Sequence, residues 1–283
     1  MPYNCVYAKM IPRGSLTRDS EAAARDPEGA IVKIGIIVGT GMNDLAKGLE
    51  WAEVSTPFGY TVTATIQFGG REVVVVRRHG PGLNVPPHLI NYRANLWAMR
   101  DAGVKPVLAT AAVGSLRRPI KPSTLAIVRD FIDFSKRGNL TIYDTPGERL
   151  RHIDLSRPYC PLLSSVIEQA AAEIGVELGP RVVYVCVDGP RYETPAEVKM
   201  FAKMGGDVVG MTSAPEAILS RELDMCYGSL AIVTNYAAGF GEHKLEHDDV
   251  AAAAKQLQPT IRAILERAVA LIPETGNGCH SVD

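Results

Sequence analysis

The sequence predicts an α/β fold: a single domain in which a β-sheet is covered by helices on both faces. Short Val- and Ile-rich runs alternate with segments of helical periodicity along most of the chain. Those runs are nearly continuous in hydrophobicity, the pattern of strands buried on both sides. No internal repeat, low-complexity linker or composition break divides the 283 residues, and an apolar content of 46% is enough for one large core.

The elements follow in order. "KIGIIVGTG" (33–41) is a strand entering a glycine turn, and "REVVVVRRHG" (71–80) is a strand ending on two cations and a histidine. "INYRANLWAMRDAG" (90–103) places Leu96, Met99 and Ala102 at helical spacing before a glycine stop. "KPVLATAAVGSL" (105–116) and "STLAIVRDFIDF" (123–134) are further apolar runs, followed by a polar loop over 135–158. "PLLSSVIEQAAAEIG" (161–175) is an amphipathic helix, and "RVVYVCVDGPRYET" (181–194) is a strand running into a turn. "PAEVKMFAKMGG" (195–206) starts on Pro and ends on Gly, as helices prefer. "DVVGMTSAPEAILSRELD" (207–224) reads as strand, turn and helix, "YGSLAIVTN" (227–235) as a buried strand, and 247–273 as a closing helix. Residues 1–30 and 274–283 read as polar tails around a domain spanning 31–273.

Thirty basic and 31 acidic residues nearly cancel, and no segment concentrates positive charge, so neither nucleic acid nor an anionic membrane is indicated as a partner. No apolar stretch is long enough to span a bilayer, and the first thirty residues lack the apolar core of a secretory signal. Five scattered cysteines form no CxxC pair, which suits a cytoplasmic protein.

The chemistry concentrates at strand ends. "VGTGMND" fails the dinucleotide pattern because Asp44 stands where the third glycine belongs. Its glycine turn is either a plain strand-to-helix connection or a cradle of N–H donors, to which Thr40 adds a hydroxyl. Arg77 and Arg78 read either as a solvated pair or as a guanidinium fork for phosphate, with His79 beside them. "TAAVGSL" (110–116) offers amide donors, and "GMTSAPE" (210–216) offers the hydroxyls of Thr212 and Ser213. In "DGPRYETPAEV" (188–198), Thr194 and Glu197 form a capping box while Tyr192 and Glu193 are available to face a pocket. Asn235 either caps the next segment or meets a ligand at the carboxyl end of a sheet. His243 and His247, at i, i+4 spacing, suggest zinc less than a solvated helix start, and no metal site is expected.

"GIIVGTG", "RRHG" followed by "PPHLINYRANLWA", "TAAVGSL", "GPRYET" and "VVGMTSAPEAILSREL", in that order, resemble the trimeric purine nucleoside phosphorylase and methylthioadenosine phosphorylase family. The resemblance covers roughly residues 33–272. It implies a twisted, partly barrel-like mixed sheet flanked by helices, assembled as a homotrimer or a dimer of trimers. The implied reaction is phosphorolysis, in which inorganic phosphate displaces a purine from C1′ of a nucleoside with no metal or organic cofactor. By position, Thr40, Arg78, His79, the Ala112 amide and Thr212 would hold phosphate. Met211 would lie against the sugar, Tyr192 near the base and His247 at the 5′ end. Glu193, which the 6-aminopurine branch usually lacks, and Asn235, where that branch usually has Asp, imply a 6-oxopurine nucleoside such as inosine or guanosine. Asn235 and His79 are the implied catalytic pair. Methylthioinosine and methylthioadenosine are the alternative substrates, and Ala111 departs from the Thr or Asn of relatives.

Overall fold

The structure, a computed structural model, describes residues 32–40, 42, 45, 48–80, 82, 84–138, 140–144, 151–240 and 247–274, the last segment in backbone only at 247–249. The expected N-terminal tail, and the C-terminal one beyond Glu274, lie outside these residues. The strands are β1 (Lys33–Val38), β2 (Ala52–Thr56), β3 (Gly59–Phe68), β4 (Arg71–Arg77), β5 (Val104–Ser115), β6 (Leu125–Asp133), β7 (Val182–Cys186), β8 (Val208–Gly210) and β9 (Cys226–Tyr236). The helices are α1 (Tyr92–Asp101), α2 (Pro161–Glu173), α3 (Pro195–Lys203), α4 (Ser213–Glu222) and α5 (His247–Leu271). The β2–β3 hairpin is an addition to the sequence reading, which assigns nothing to 51–68. Its polar alternation marks a sheet wing wet on one side.

All nine strands join one mixed sheet in the order β2-β3-β4-β1-β5-β8-β7-β6-β9. A further pairing of β5 with β9 closes β5, β8, β7, β6 and β9 into a ring, so the sheet is an open wing attached to a small barrel. The expected partly barrel-like architecture is what forms. The near-continuous apolar runs are explained by burial on both faces. Ile34, Ile36, Val73 and Val75 join Leu163 and Ile167 of α2 and Ile261 and Ile264 of α5 in one core. Their strand neighbours Ile37, Val74 and Val76 point the other way, against Leu96 and Met99 of α1 and Ala217 and Leu219 of α4.

The strand that positions the site is β5. On one edge it pairs with β1 from Val104 to Ala109, then with β8 only at Gly114 and Ser115. Residues 110–113 therefore have no strand neighbour on that edge, whereas β9 pairs along the other from Pro106 to Ser115. The sheet splits there, and such a switch point opens a crevice at the carboxyl ends of parallel strands.

Candidate active site

Three parallel strands, β4, β1 and β5, deliver their carboxyl ends to the crevice. β1 runs out through Gly39 and Thr40, where a turn closes from the Met42 N–H to the Gly39 carbonyl. Beside it, the Arg78 N–H continues the ladder onto the Val38 carbonyl at 3.0 Å. The solvated reading of Arg78 is overturned, because its side chain is only 2% exposed. Nε and Nη2 donate to the two carboxylate oxygens of Glu216 at 2.6 and 2.9 Å, and Nη1 donates to the Thr110 carbonyl at 2.7 Å. Thr110 is the first residue of β5 without a neighbour strand on that edge, so the guanidinium fills the start of the split. Burial works against the cation, Glu216 works for it, and the net effect raises its pKa. Glu216 also accepts from the Tyr227 hydroxyl at 2.6 Å. The side-on edge of Arg78 is thereby committed within the protein, leaving one N–H on each terminal nitrogen.

Gly39 is a steric requirement of this arrangement. A Cβ there would fall 2.0 Å from Arg78 Nη1. His79 follows, half-buried, with Nδ1 2.8 Å from the Val85 carbonyl. A carbonyl only accepts, so Nδ1 carries a proton toward Val85 and Nε2 faces away from that carbonyl. Ala112, half-buried, sits in the split two residues beyond Thr110. Main-chain groups of a strand alternate between its edges, so Ala112 faces the same edge as Thr110.

β8 runs antiparallel along β5 and hands the chain to α4 through Met211 and Thr212. Thr212 occupies the N-cap of α4, yet its hydroxyl makes no cap bond, and its backbone N–H donates instead to the Tyr184 hydroxyl at 3.0 Å. Helix α4 therefore starts after Thr212 and carries Glu216 one turn later, where it meets Arg78.

On the far side, β9 ends at Asn235. A bulge makes Thr234 the extra residue between the Val113↔Val233 and Gly114↔Asn235 pairs. The Thr234 hydroxyl lies 2.7 Å from Asn235 Oδ1 and 3.2 Å from the Val113 carbonyl. Asn235 Nδ2 donates to the Tyr236 carbonyl at 2.8 Å, which fixes which end of the amide is nitrogen. The amide is thus oriented by the protein, with its second N–H left to donate. The chain then turns so tightly that a Cβ at Gly239 would fall 2.8 Å from the Pro195 Cβ, bringing the segment after Asn235 against the start of α3.

That start carries Glu193. The capping box forms as the sequence predicts: Thr194 Oγ1 accepts from the Glu197 N–H at 3.2 Å, and Glu197 returns to the Thr194 N–H at 2.7 Å. Arg191 forks onto the same Glu197 carboxylate, which together with the box holds its pKa down at about 2. Between these anchors Glu193 turns inward and is 7% exposed. Burial raises its pKa, with only its own backbone N–H and Arg191 acting in the opposite direction. Tyr192 beside it is half-buried, and Met211 places its sulfur over Gly189, where a Cβ would fall 2.3 Å away.

Thr40, Arg78 and His79 follow the ends of β1 and β4, Ala112 lies in the stretch of β5 that lacks a neighbour on one edge, Met211 and Thr212 join β8 to α4, Glu193 precedes α3 and Asn235 lies near the end of β9. The side chain of His247 lies outside the described residues, as does His243. Sequence reasoning missed Glu216, Tyr227, Thr110 and Thr234, which orient the predicted residues; none carries a local motif. Among the described residues no group of three or more His, Cys, Asp or Glu side chains could hold a metal ion. No described helix is long and apolar enough to cross a membrane.

Residues 33–270 match the family model described as the Phosphorylase superfamily. The chain is 43% identical over 249 residues, 86% of its own length and 93% of the relative's, to a probable 6-oxopurine nucleoside phosphorylase of Thermococcus kodakarensis. It is 41% identical over 246 residues, 86% of this chain and 94% of the relative, to a probable S-methyl-5′-thioinosine phosphorylase of Methanopyrus kandleri. The structure of a methylthioadenosine phosphorylase from Schistosoma mansoni in complex with adenine superposes with a TM-score of 0.78 at 32% identity, covering 85% of this chain and 92% of that one. A split sheet matched along nearly all of its length places this chain in the Phosphorylase superfamily.

Proposed function

We propose that this chain is a purine nucleoside phosphorylase that cleaves 6-oxopurine nucleosides, inosine and guanosine, into free base and ribose 1-phosphate. The reading is supported by two residues, Glu193, buried at the start of α3, and Asn235, held near the end of β9 by Thr234 and the Tyr236 carbonyl. A 6-oxopurine offers a protonated N1 and acceptors at O6 and N7. Glu193 accepts from N1–H, and the uncommitted N–H of Asn235 donates to O6 or N7. Adenine, with an unprotonated N1 and an N6 donor, would leave the carboxylate facing a lone pair, a mismatch that excludes it strongly.

In this reading phosphate occupies the split, held by Thr40, the end-on N–H groups of Arg78, His79, the Ala112 N–H and the Thr212 hydroxyl. A phosphate oxygen forms a bond to C1′ as the bond from C1′ to N9 breaks, and the electron pair leaves with the purine. Asn235 stabilises the charge that develops on the base, and the dianion stabilises the oxocarbenium-like sugar, with Met211 against its face and Tyr192 near the base. The reaction calls on no metal or organic cofactor. Residues 31–273 form the catalytic domain, the enzyme works as a homotrimer or dimer of trimers, and its location is cytoplasmic.

A second reading, S-methyl-5′-thioinosine phosphorylase, is supported by the Methanopyrus kandleri relative and shares the same base-recognition pair. In it the residue at the 5′ end, assigned to His247, accepts a methylthio group in place of a hydroxyl. Base release from inosine, guanosine, 5′-methylthioinosine, adenosine and 5′-methylthioadenosine, with and without phosphate, separates the readings by kcat/KM. Phosphate-dependent turnover confined to 6-oxopurines is the expected result. Turnover led by methylthioadenosine would overturn the base assignment, and release without phosphate would overturn phosphorolysis.

A further inference from the structure

The polar loop after β6 carries a buried cation that neither the sequence reading nor the proposed reaction uses. Arg137 is 10% exposed at its side chain, with its Nε 3.3 Å from an Asp188 carboxylate oxygen. Its Nη2 reaches three carbonyls: Val187 at 3.3 Å, Asp188 at 3.1 Å and Met211 at 2.8 Å. The guanidinium lies over the Tyr92 ring, 5.2 Å from its centroid, and the Tyr92 hydroxyl in turn sits 3.4 Å from the same Met211 carbonyl. One planar cation therefore touches the segment leaving β7, the segment leaving β8 and helix α1.

Those two segments carry different halves of the candidate site. Val187 and Asp188 lead through Gly189 to Tyr192 and Glu193, while Met211 leads to Thr212. They already touch where the Met211 sulfur covers Gly189. That contact is apolar and permits sliding, whereas hydrogen bonds to carbonyls on both sides fix a distance and an angle.

We infer that Arg137 is a positioning residue that clamps the segment carrying Glu193 to the segment carrying Met211, setting the spacing between base and sugar recognition. The inference rests on the proposed nucleoside site for its functional consequence, but the clamp itself is a property of the fold. All three carbonyl contacts come from Nη2 at the far end of the guanidinium; a lysine keeps the charge, but its stem ends one bond short of that position and it has no planar group to lay over the Tyr92 ring.

The test uses the full chain with Arg137→Lys and Arg137→Ala. Hydrogen exchange followed by mass spectrometry reads the clamp without any substrate: exchange should quicken together in peptides covering 186–194 and 208–213 in both variants. Steady-state kinetics reads the consequence: KM for inosine should rise on the order of tenfold to a hundredfold, the penalty of a misplacement near 1 Å, while KM for phosphate stays within about twofold. Added guanidinium should restore part of the loss in Arg137→Ala in a saturable way. Unchanged exchange in those peptides overturns the clamp, and so does wild-type KM for inosine in Arg137→Lys. A parallel rise of both KM values with no rescue also overturns it, since a general loss of structure would give that. Where Arg137→Ala does not fold, Arg137→Lys decides alone. A wild-type protein that cleaves no nucleoside sinks the proposed function instead, and the exchange measurement still decides the clamp.

Discussion

The two sides of the crevice are built on opposite principles. On the phosphate side, a cation is buried and then matched: Arg78 is sheathed by Glu216, Thr110 and Tyr227, and every member of the group touches another. On the base side, the Glu193 carboxylate is buried with only the nearby Arg191, itself forked onto Glu197, to favour its charge, and the Asn235 amide is locked by its own neighbours. The first arrangement stores its organisation in the folded protein before any ligand arrives. The second leaves an acceptor whose demand a ligand's N–H has to meet. An anion with little directionality needs a rigid cradle, whereas a base is chosen by which protein groups remain unsatisfied without it.

Breaking the phosphate side should therefore cost most. Glu216→Gln leaves a buried guanidinium without its counter-charge, and removing one partner of such a pair costs about 3–5 kcal/mol. Urea unfolding should show that loss, together with collapse of phosphate-dependent turnover. A stability change below about 1 kcal/mol would mean the pair is solvated in solution, because exposed pairs contribute no more than that. Gly39→Ala is the gentler version. The new methyl group and Arg78 Nη1 cannot share a 2.0 Å gap. A guanidinium displaced by about 1 Å should raise KM for phosphate by up to a hundredfold. Nucleoside binding without phosphate should be unaltered, by calorimetry, and a shift there would show that the two sides are not separable.

This division also explains what could be read from the sequence. Strand ends, the Thr194–Glu197 box and the two-faced burial of β1 and β4 are local: periodicity and capping residues announce them. Arg78 was legible as an anion donor, but not its burial, since its partner lies 138 positions away and no local pattern connects them. The β2–β3 hairpin escaped because its strands mix exposed and buried positions and carry no site residue. The bulge at Thr234 escaped for a different reason. It is a mismatch between two strands, so neither strand's sequence contains it.

On the base side the effects should be changes of preference. Asn235→Asp replaces the donating amide with an acceptor. The ratio of adenosine to inosine kcat/KM should rise by at least about tenfold, because a site built to hydrogen-bond one edge discriminates against the base that lacks the matching group. No rise would detach Asn235 from base choice. Thr234→Val removes the hydroxyl that holds Asn235 Oδ1 while keeping the β-branched shape of the bulge. Losing one neutral hydrogen bond of about 1 kcal/mol should lower inosine kcat/KM roughly fivefold. Phosphate KM should stay constant in the same assay.

The smallest effect is also the one that separates stability from function. Burial raises the Glu193 pKa, so the folded protein holds that proton more tightly than the unfolded chain does. The contribution is favourable below the ordinary glutamate range and is lost as pH rises through the raised folded value. Glu193→Gln removes the titration and leaves a neutral side chain of the same shape. Its melting temperature relative to wild type should therefore improve as pH increases from 4 toward 8, and inosine turnover should fall over the whole range. Arg78 and Glu216 offer no such gain, because neutralising either one strands the other. A variant equally stable relative to wild type at every pH would mean that Glu193 is compensated in solution, and the contrast between the two sides would then fail at the residue on which it depends.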